Sequence, residues 1–161
     1  NASEAANIFQ LGTKFSEPFG LHYDDEKGKN HPIIMGCYGI GISRLMGIVV
    51  EALADADGMR WPDNIAPASI HIVPIAKSKD EDPYKEALKL YESLSKSGKE
   101  CMFDDRLDLS VGERLADADL IGAPFRAVVS PKTLEDKGVE IKDRMSGDTK
   151  AVSFEEVKKC A

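Results

Sequence analysis

The sequence predicts an α/β chain in two parts, and three observations carry that reading. Residues 1–65 hold short strand-like runs that lead into a glycine-rich stretch, Met35-Gly36-Cys37-Tyr38-Gly39-Ile40-Gly41-Ile42-Ser43-Arg44. An amphipathic helix follows, with Ile42, Leu45, Met46, Val49, Val50 and Leu53 at i, i+3, i+4, i+7, i+8 and i+11, one apolar stripe. Residues 66–161 instead alternate strand and helix patterns in the order β-α-β-α-β-β-α, which predicts an α/β domain with a mixed sheet.

In chain order, residues 8–15 form a strand ending at Gly12-Thr13, and 19–23 form a second. The charged run 24–30 is a turn, and 32–35 returns as a third strand into a glycine-rich turn. The acidic trio Asp24, Asp25 and Glu26 reads as a solvated hairpin loop, and His22 and His31 as surface residues. Residues 55–62 end the helix and open a linker, and Pro62 and Pro67 mark a domain boundary near residue 65. Trp61 is expected to clamp against the first part. Beyond the boundary, 69–76 is a strand, and 83–97 a helix with Tyr84, Ala87, Leu88, Tyr91 and Leu94 on its inner face. Residues 100–103 form a strand, and 111–120 a helix closed by Gly122. Strands at 125–130 and 139–145 and a helix from 154 complete the chain.

Composition bounds the function. The net charge is −7; residues 1–65 carry five Lys/Arg against nine Asp/Glu, and 66–161 sixteen against nineteen. Neither part is basic, so any nucleic-acid contact must use a local patch rather than bulk charge. Cys37, Cys101 and Cys160 lack the spacing of a zinc ribbon or redox pair, and their odd number disfavours a disulfide framework. A reducing cytoplasm fits this usage. No apolar run approaches membrane-spanning length, and no metal site is expected within these residues. The chain opens on Asn1 and enters a strand pattern almost at once, which reads as a fragment joined mid-fold.

The glycine-rich stretch fits an anion site. Glycines ahead of a helix let backbone approach a ligand, and the helix start presents unpaired N–H groups. Arg44 stands in the first turn, where the helix dipole favours acids, so an anionic ligand such as phosphate gives the cation a purpose. Spacing rules out three familiar loops. A dinucleotide fingerprint would need glycine at Arg44, a phosphate-binding loop lysine at Ile42, and a nucleophile elbow glycine at Leu45.

The same stretch resembles the third signature motif of class II aminoacyl-tRNA synthetases. GCYGIGISR is similar to its version in the bacterial prolyl-tRNA synthetase family. Further matches occur in order: Ile8 to Lys14, Trp61-Pro62, Ile65-Ala66-Pro67, Asp104-Asp105-Arg106, Val111-Gly112 and Ala116 to Gly122. They cover nearly the whole chain. The resemblance implies that 1–65 is the C-terminal part of an antiparallel catalytic core and 66–161 an anticodon-binding domain. The parent would activate proline with ATP and Mg²⁺ and transfer it to tRNA(Pro), as a homodimer in the cytoplasm, without membrane association. The magnesium ligands are expected upstream of these residues.

Site residues follow from the resemblance by position. Arg44 contacts the terminal phosphate of ATP, with Gly39 and Gly41 beside adenine and ribose. Gln10, Thr13, Cys37 and Tyr38 are candidates for the proline pocket. Asp105, Arg106, Lys132, Glu135, Lys142 and Arg144 are candidates for reading the anticodon, and Asp117 and Asp119 are expected to be structural. One departure is Asn7, where bacterial members usually carry histidine. The competing reading is a non-catalytic synthetase paralogue that binds RNA or regulates.

Overall fold

A computed structural model describes residues 2–136 and 138–160. It divides the chain into two compact units, 1–51 and 52–161.

The first unit contains β1 (Ala6–Gly12), β2 (His22–Asp24), β3 (Asn30–Pro32) and β4 (Met35–Ile40), then α1 (Ile42–Leu53), whose last turn crosses the boundary. β2 and β3 form a hairpin, and β1 pairs antiparallel with β4. In the hairpin turn, Asp25 Oδ1 accepts from the Lys27 and Lys29 amides, both at 2.9 Å. That pattern holds the acidic run as a turn. The glycine-rich stretch departs from expectation: Met35–Ile40 is a strand, not a turn. Its glycines have no positive φ, and β1 supplies a full antiparallel partner, with Asn7 opposite Gly39 and Gln10 opposite Gly36. Only Gly41 separates the strand from α1. The apolar stripe of α1 buries none of its residues, and Ile8, Tyr38 and Ile42 are 82, 84 and 81 % exposed. Paired two-stranded ribbons of this kind are marginal without a covering layer.

The second unit holds β5 (Ile70–Pro74), α2 (Asp82–Lys96), β6 (Cys101–Phe103), α3 (Val111–Ile121), β7 (Phe125–Val129), α4 (Pro131–Glu135), β8 (Gly138–Asp143), β9 (Thr149–Ser153) and α5 (Phe154–Cys160). They build one mixed sheet in the order β6-β5-β7-β8-β9, parallel across β6, β5 and β7 and antiparallel beyond. Sequence patterning missed α4 and β9. α4 is a single turn entered by Pro131 and held by Ser130 and Thr133, and β9 carries a mostly polar, exposed face.

The two faces of the sheet differ in chemistry. Ile70, Ile72, Ala127, Val129, Val139 and Ile141 form an apolar face closed by Ala87, Leu90 and Leu94 of α2 and Val157 of α5. Leu90, rather than Leu88, completes the α2 stripe. Because side chains alternate along a strand, the register that aligns Ile70 and Ile72 sends His71, Arg126 and Lys142 to the opposite face, side by side. α3 lies on that polar face and buries only Arg114 and Ala118. Its ends are sharply set, by a Ser110–Glu113 capping box and by Gly122 in the left-handed region at φ 74°.

By packing, 52–65 goes with the second unit rather than forming a free linker. Arg144 donates through Nη1 and Nη2 to the two carboxylate oxygens of Asp55, both at 2.6 Å. Arg60 Nε donates to the Leu53 carbonyl at 2.7 Å, and the Met59 and Trp61 amides donate to the Leu120 and Gly122 carbonyls. Trp61 Nε1 donates to the Ile121 carbonyl at 3.0 Å, so this side chain anchors on α3 instead of the first part. Gly122 has no room for a side chain, since a Cβ there would meet the Met59 carbonyl. Gly122→Ala should therefore cost about 2 kcal/mol or more, and Gly98→Ala, equally left-handed but open around its Cβ, about 1 kcal/mol. Urea unfolding followed by Trp61 fluorescence checks the difference.

Candidate functional site

α3 leaves part of the polar face uncovered. A cavity of about 340 Å³ lies there, walled by Leu115 of α3, Val128 of β7, Glu140 of β8, and Thr149, Lys150 and Ala151 of β9. Ser130, Lys132, Thr133 and Asp136 close its upper edge, and Ile75 lies beside them. The position has a topological cause. Ile75 and Ser130 directly follow β5 and β7, so the cavity sits at the carboxyl ends of parallel strands, where open α/β sheets place ligands. Ser130 Oγ accepts from the Thr133 amide at 3.1 Å while Thr133 Oγ1 accepts from the Ser130 amide at 2.9 Å, fixing that corner. The floor is apolar through Val128, Ala151 and Leu115. Two lysines and two carboxylates, Lys132, Lys150, Asp136 and Glu140, ring it. Such a site can seat a flat heterocycle, match donors and acceptors on its edge, and hold a phosphate beside it.

The residue patterns now have counterparts among known proteins. Residues 69–160 match the family described as Anticodon binding domain. The chain belongs to that family. It is also 45 % identical over 154 residues to a protein named proline–tRNA ligase from Syntrophomonas wolfei, covering 96 % of this chain and 27 % of that protein. A proline–tRNA ligase from Picosynechococcus is 46 % identical over 155 residues, 96 % of this chain and 25 % of the relative. One from Desulforamulus reducens is 45 % identical over 153 residues, 95 % and 26 %. The chain spans about a quarter of the length of these relatives. The resemblance drawn from GCYGIGISR and its ordered companions holds across nearly the whole chain.

The anticodon-binding domain brings only some of the expected readers together. Lys132 lines the cavity, and Glu135 ends α4 exposed to solvent. Lys142 Nζ lies 3.0 Å from Asp119, which also holds Arg126 Nη1 at 2.6 Å. Arg144 is 4 % exposed and clamped on Asp55, so its geometry is that of a structural tie. The Asp55 carboxylate titrates well below the usual range because Arg144 hydrogen bonds to it. Asp105 and Arg106 line a separate cavity on the β6 side of α3. Arg106 is engaged there, donating to Asp104 through Nε and Nη2 and to Asp117 through Nη1. Glu140, Thr149 and Lys150 escaped the sequence reading, since β9 was not anticipated; register puts Glu140 and Thr149 on the polar face, whereas Lys150 pairs with Ile141 of the apolar face.

In the first unit, Arg44 Nη1 donates to Glu4 Oε1 at 2.7 Å and to the Glu4 carbonyl at 3.3 Å. Asn7 Nδ2 donates to the same Glu4 oxygen at 3.2 Å. Neither partner was read from the sequence; they emerge because β1 lies along β4. A Cβ on Gly41 would stand 3.3 Å from Arg44 Cβ, so glycine there leaves the arginine room. Gly39 faces Asn7 across the ribbon. Alternation splits the proline-pocket candidates. Gln10 and Tyr38 share one face of the ribbon with Ile8, whereas Cys37 lies on the other with Asn7, Phe9 and Gly39. Thr13 follows β1, where its carbonyl accepts from Ser16 Oγ.

His71 is the remaining polar group of note, a histidine in an otherwise aliphatic strand that the sequence reading passed over. It is 3 % exposed and lies among Asp104, Arg106, Arg114 and Arg126. Burial pushes its pKa below 6.5; Asp104 opposes the shift and the three arginines reinforce it. With the folded value depressed, the unfolded chain binds the proton more readily, so stability is complete above 6.5 and declines as pH falls. The urea midpoint should thus drop between about pH 7 and about pH 5, and His71→Leu should flatten that drop. An unchanged slope in the variant would assign the acid sensitivity elsewhere.

Proposed function

We propose that this chain is the part of a proline–tRNA ligase that carries the third signature motif and the anticodon reader. The observation that carries the reading is the ringed cavity on a domain of the anticodon-binding family, in a chain about 45 % identical along its length to proline–tRNA ligases. The parent enzyme joins proline to ATP by attack of the proline carboxylate on the α-phosphate, with pyrophosphate leaving. It then passes the prolyl group to tRNA(Pro). Arg44 stabilises the negative charge that grows on the departing pyrophosphate, and the backbone at Gly39 of β4 and at Gly41 just after it would leave room for the nucleoside. Gln10 and Tyr38, on one ribbon face, suit the proline pocket better as a pair than either does with Cys37.

Magnesium accompanies ATP in such chemistry and usually takes one or two protein carboxylates plus phosphate oxygens. Its ligands are expected upstream of these residues, and Glu4, the carboxylate beside Arg44, is engaged by the arginine and Asn7. Supporting the phosphates remains the work of Arg44, which Glu4 and Asn7 orient. The exposed apolar side chains of β1, β4 and α1 suit a covering surface from the rest of the catalytic core, which the family uses as a homodimer. Among the described residues no helix is long and apolar enough to cross a membrane. A cytoplasmic setting accords with the reduced cysteines Cys37 and Cys101.

Two measurements test this function. An anticodon stem-loop of tRNA(Pro) should bind the chain more tightly than the same loop with its anticodon bases replaced. Lys132→Ala and Lys150→Ala should each lower the slope of log affinity against log salt by about one. Equal, feeble binding of both loops would send the reading back to a domain that has left tRNA behind. In the full-length parent, Arg44→Ala should slow proline-dependent pyrophosphate exchange by about 100-fold or more. A normal exchange rate would remove Arg44 from the chemistry.

A further inference from the structure

Where α3 lies on the polar face of the sheet, three buried atoms face one another without a bond. His71 Nδ1, Asp119 Oδ1 and Arg126 Nε have no hydrogen-bond partner among the described residues. The fold brings them together. His71 of β5 and Arg126 of β7 are register partners in a parallel pair, so their side chains leave the same face on neighbouring strands. Arg126 Nη1 meets Asp119 Oδ2 of α3 at 2.6 Å, and Lys142 Nζ takes the same oxygen at 3.0 Å. Arg126 Nε shares Cζ with the nitrogen that is used, and Asp119 Oδ1 shares Cγ with the oxygen that is used. The two spare atoms therefore flank the bond that is made. His71 is 3 % exposed, so bulk solvent does not supply its Nδ1.

A buried polar atom left bare costs stability, and in native proteins such groups are nearly always satisfied by protein or by ordered water. The donor set selects the ligand. Arg126 Nε only donates, the Asp119 carboxylate only accepts, and Nδ1 of a neutral imidazole does either according to its tautomer. An anion would serve Arg126 but be repelled by Asp119, and a cation the reverse. A neutral molecule that both donates and accepts serves all three, and water is small enough to sit inside a packed layer. Three polar partners are what a buried water ordinarily has, and a domain of this size holds several such waters. Arg114 Nε also lacks a hydrogen bond among the described residues, but it lies 3.3 Å from Asp104 Oδ1, so its charge is already met.

We propose that one buried water binds here, accepting from Arg126 Nε, donating to Asp119 Oδ1 and closing its third hydrogen bond on His71 Nδ1. A single molecule then joins β5, β7 and α3. His71 thereby becomes part of what seats the helix, rather than a histidine passively enclosed in the core. The site belongs to the interior of the domain and stands or falls apart from the RNA reading above.

The test observes the water directly, by nuclear magnetic resonance of the ¹⁵N-labelled chain at neutral pH. Water should show cross-relaxation to the Arg126 Nε proton, with the sign that separates a bound neighbour from chemical exchange. Relaxation dispersion of the water ¹⁷O signal counts long-lived waters, and His71→Leu should lower that count by one. His71→Asn, whose side-chain amide can reach the place of Nδ1, should keep it. A wild-type chain without cross-relaxation at Arg126 would overturn the proposal with no variant needed. So would a folded His71→Leu chain with an unchanged count, which would put the long-lived waters elsewhere. If His71→Leu unfolds, Arg126→Lys takes its place: it removes Nε, keeps a cation for Asp119, and should show the same loss.

Discussion

Two carboxylates, Asp104 and Asp119, hold α3 to the sheet, and both cavities depend on them. Asp104 follows β6, and its side chain takes Arg106 and lies 3.3 Å from the buried Arg114 Nε; its carbonyl accepts from Arg114 Nη2 at 2.6 Å. Burial alone would raise its pKa, but hydrogen bonds from Arg106 and the charge of Arg114 outweigh that cost and hold it below the ordinary value. Asp119 does the same work on the other side, taking Arg126 and Lys142. An apolar helix face could slide or rotate on an apolar sheet with little change in energy. Directed ion pairs fix a position, although replacing such buried pairs by apolar groups often stabilises a protein. Here the position matters because the sheet is wider than the helix. A shift of α3 toward either edge would fill one cavity and widen the other.

The same arrangement decides how much positive charge a chain of net charge −7 leaves exposed on this domain. Most of its conspicuous cations are spent internally: Arg114 on Asp104, Arg126 and Lys142 on Asp119, Arg144 on Asp55. Lys132 and Lys150, by contrast, have no carboxylate within ion-pair distance among the described residues; both border the larger cavity, Lys150 from a β9 position opposite Ile141 of the apolar face. Cations counted along a sequence therefore overstate what phosphate can meet, and their partners must be subtracted first. What remains is a small local patch, which suits recognition through base edges and stacking better than bulk electrostatic capture.

Much of the fold was legible because local chemistry dictates it. Ser110 with Glu113 and Gly122 bracket α3, Pro83 opens α2, and the stripe from Ile42 to Leu53 gives α1 its bounds. The misses share a different cause, which is dependence on partners distant in sequence. Gly36 and Gly39 read as a turn until β1 is laid beside them. Trp61 reads as a clamp on the first part until α3 offers the Ile121 carbonyl. The site was legible in residue type but not in role. Lys132 fell in the cavity, whereas Lys142 and Arg144 face carboxylates 23 and 89 residues away, separations no spacing rule reaches. His71 and Glu140 needed the register of the sheet before they could be placed on one face.

The ribbon and the anticodon-binding domain bury their groups to very different degrees, and that contrast bears on function. In the domain, the residues that build the cavities are tied down by caps, register and ion pairs, so their geometry is set by the fold itself. In the first unit, Arg44 and Glu4 are both 58 % exposed, and their side chains are joined by a single short hydrogen bond. Exposed pairs of this kind are worth little in isolation and rearrange readily. On the role proposed for Arg44, a group following charge from bound ATP to departing pyrophosphate would gain from that freedom, provided its tether holds it nearby. Asn7 supplies the tether from β1, through an amide that keeps one protonation state across the physiological range. The oxygen of Glu4 that receives Asn7 is the one that receives Arg44, so the strand opposite Gly39 sets where the guanidinium rests.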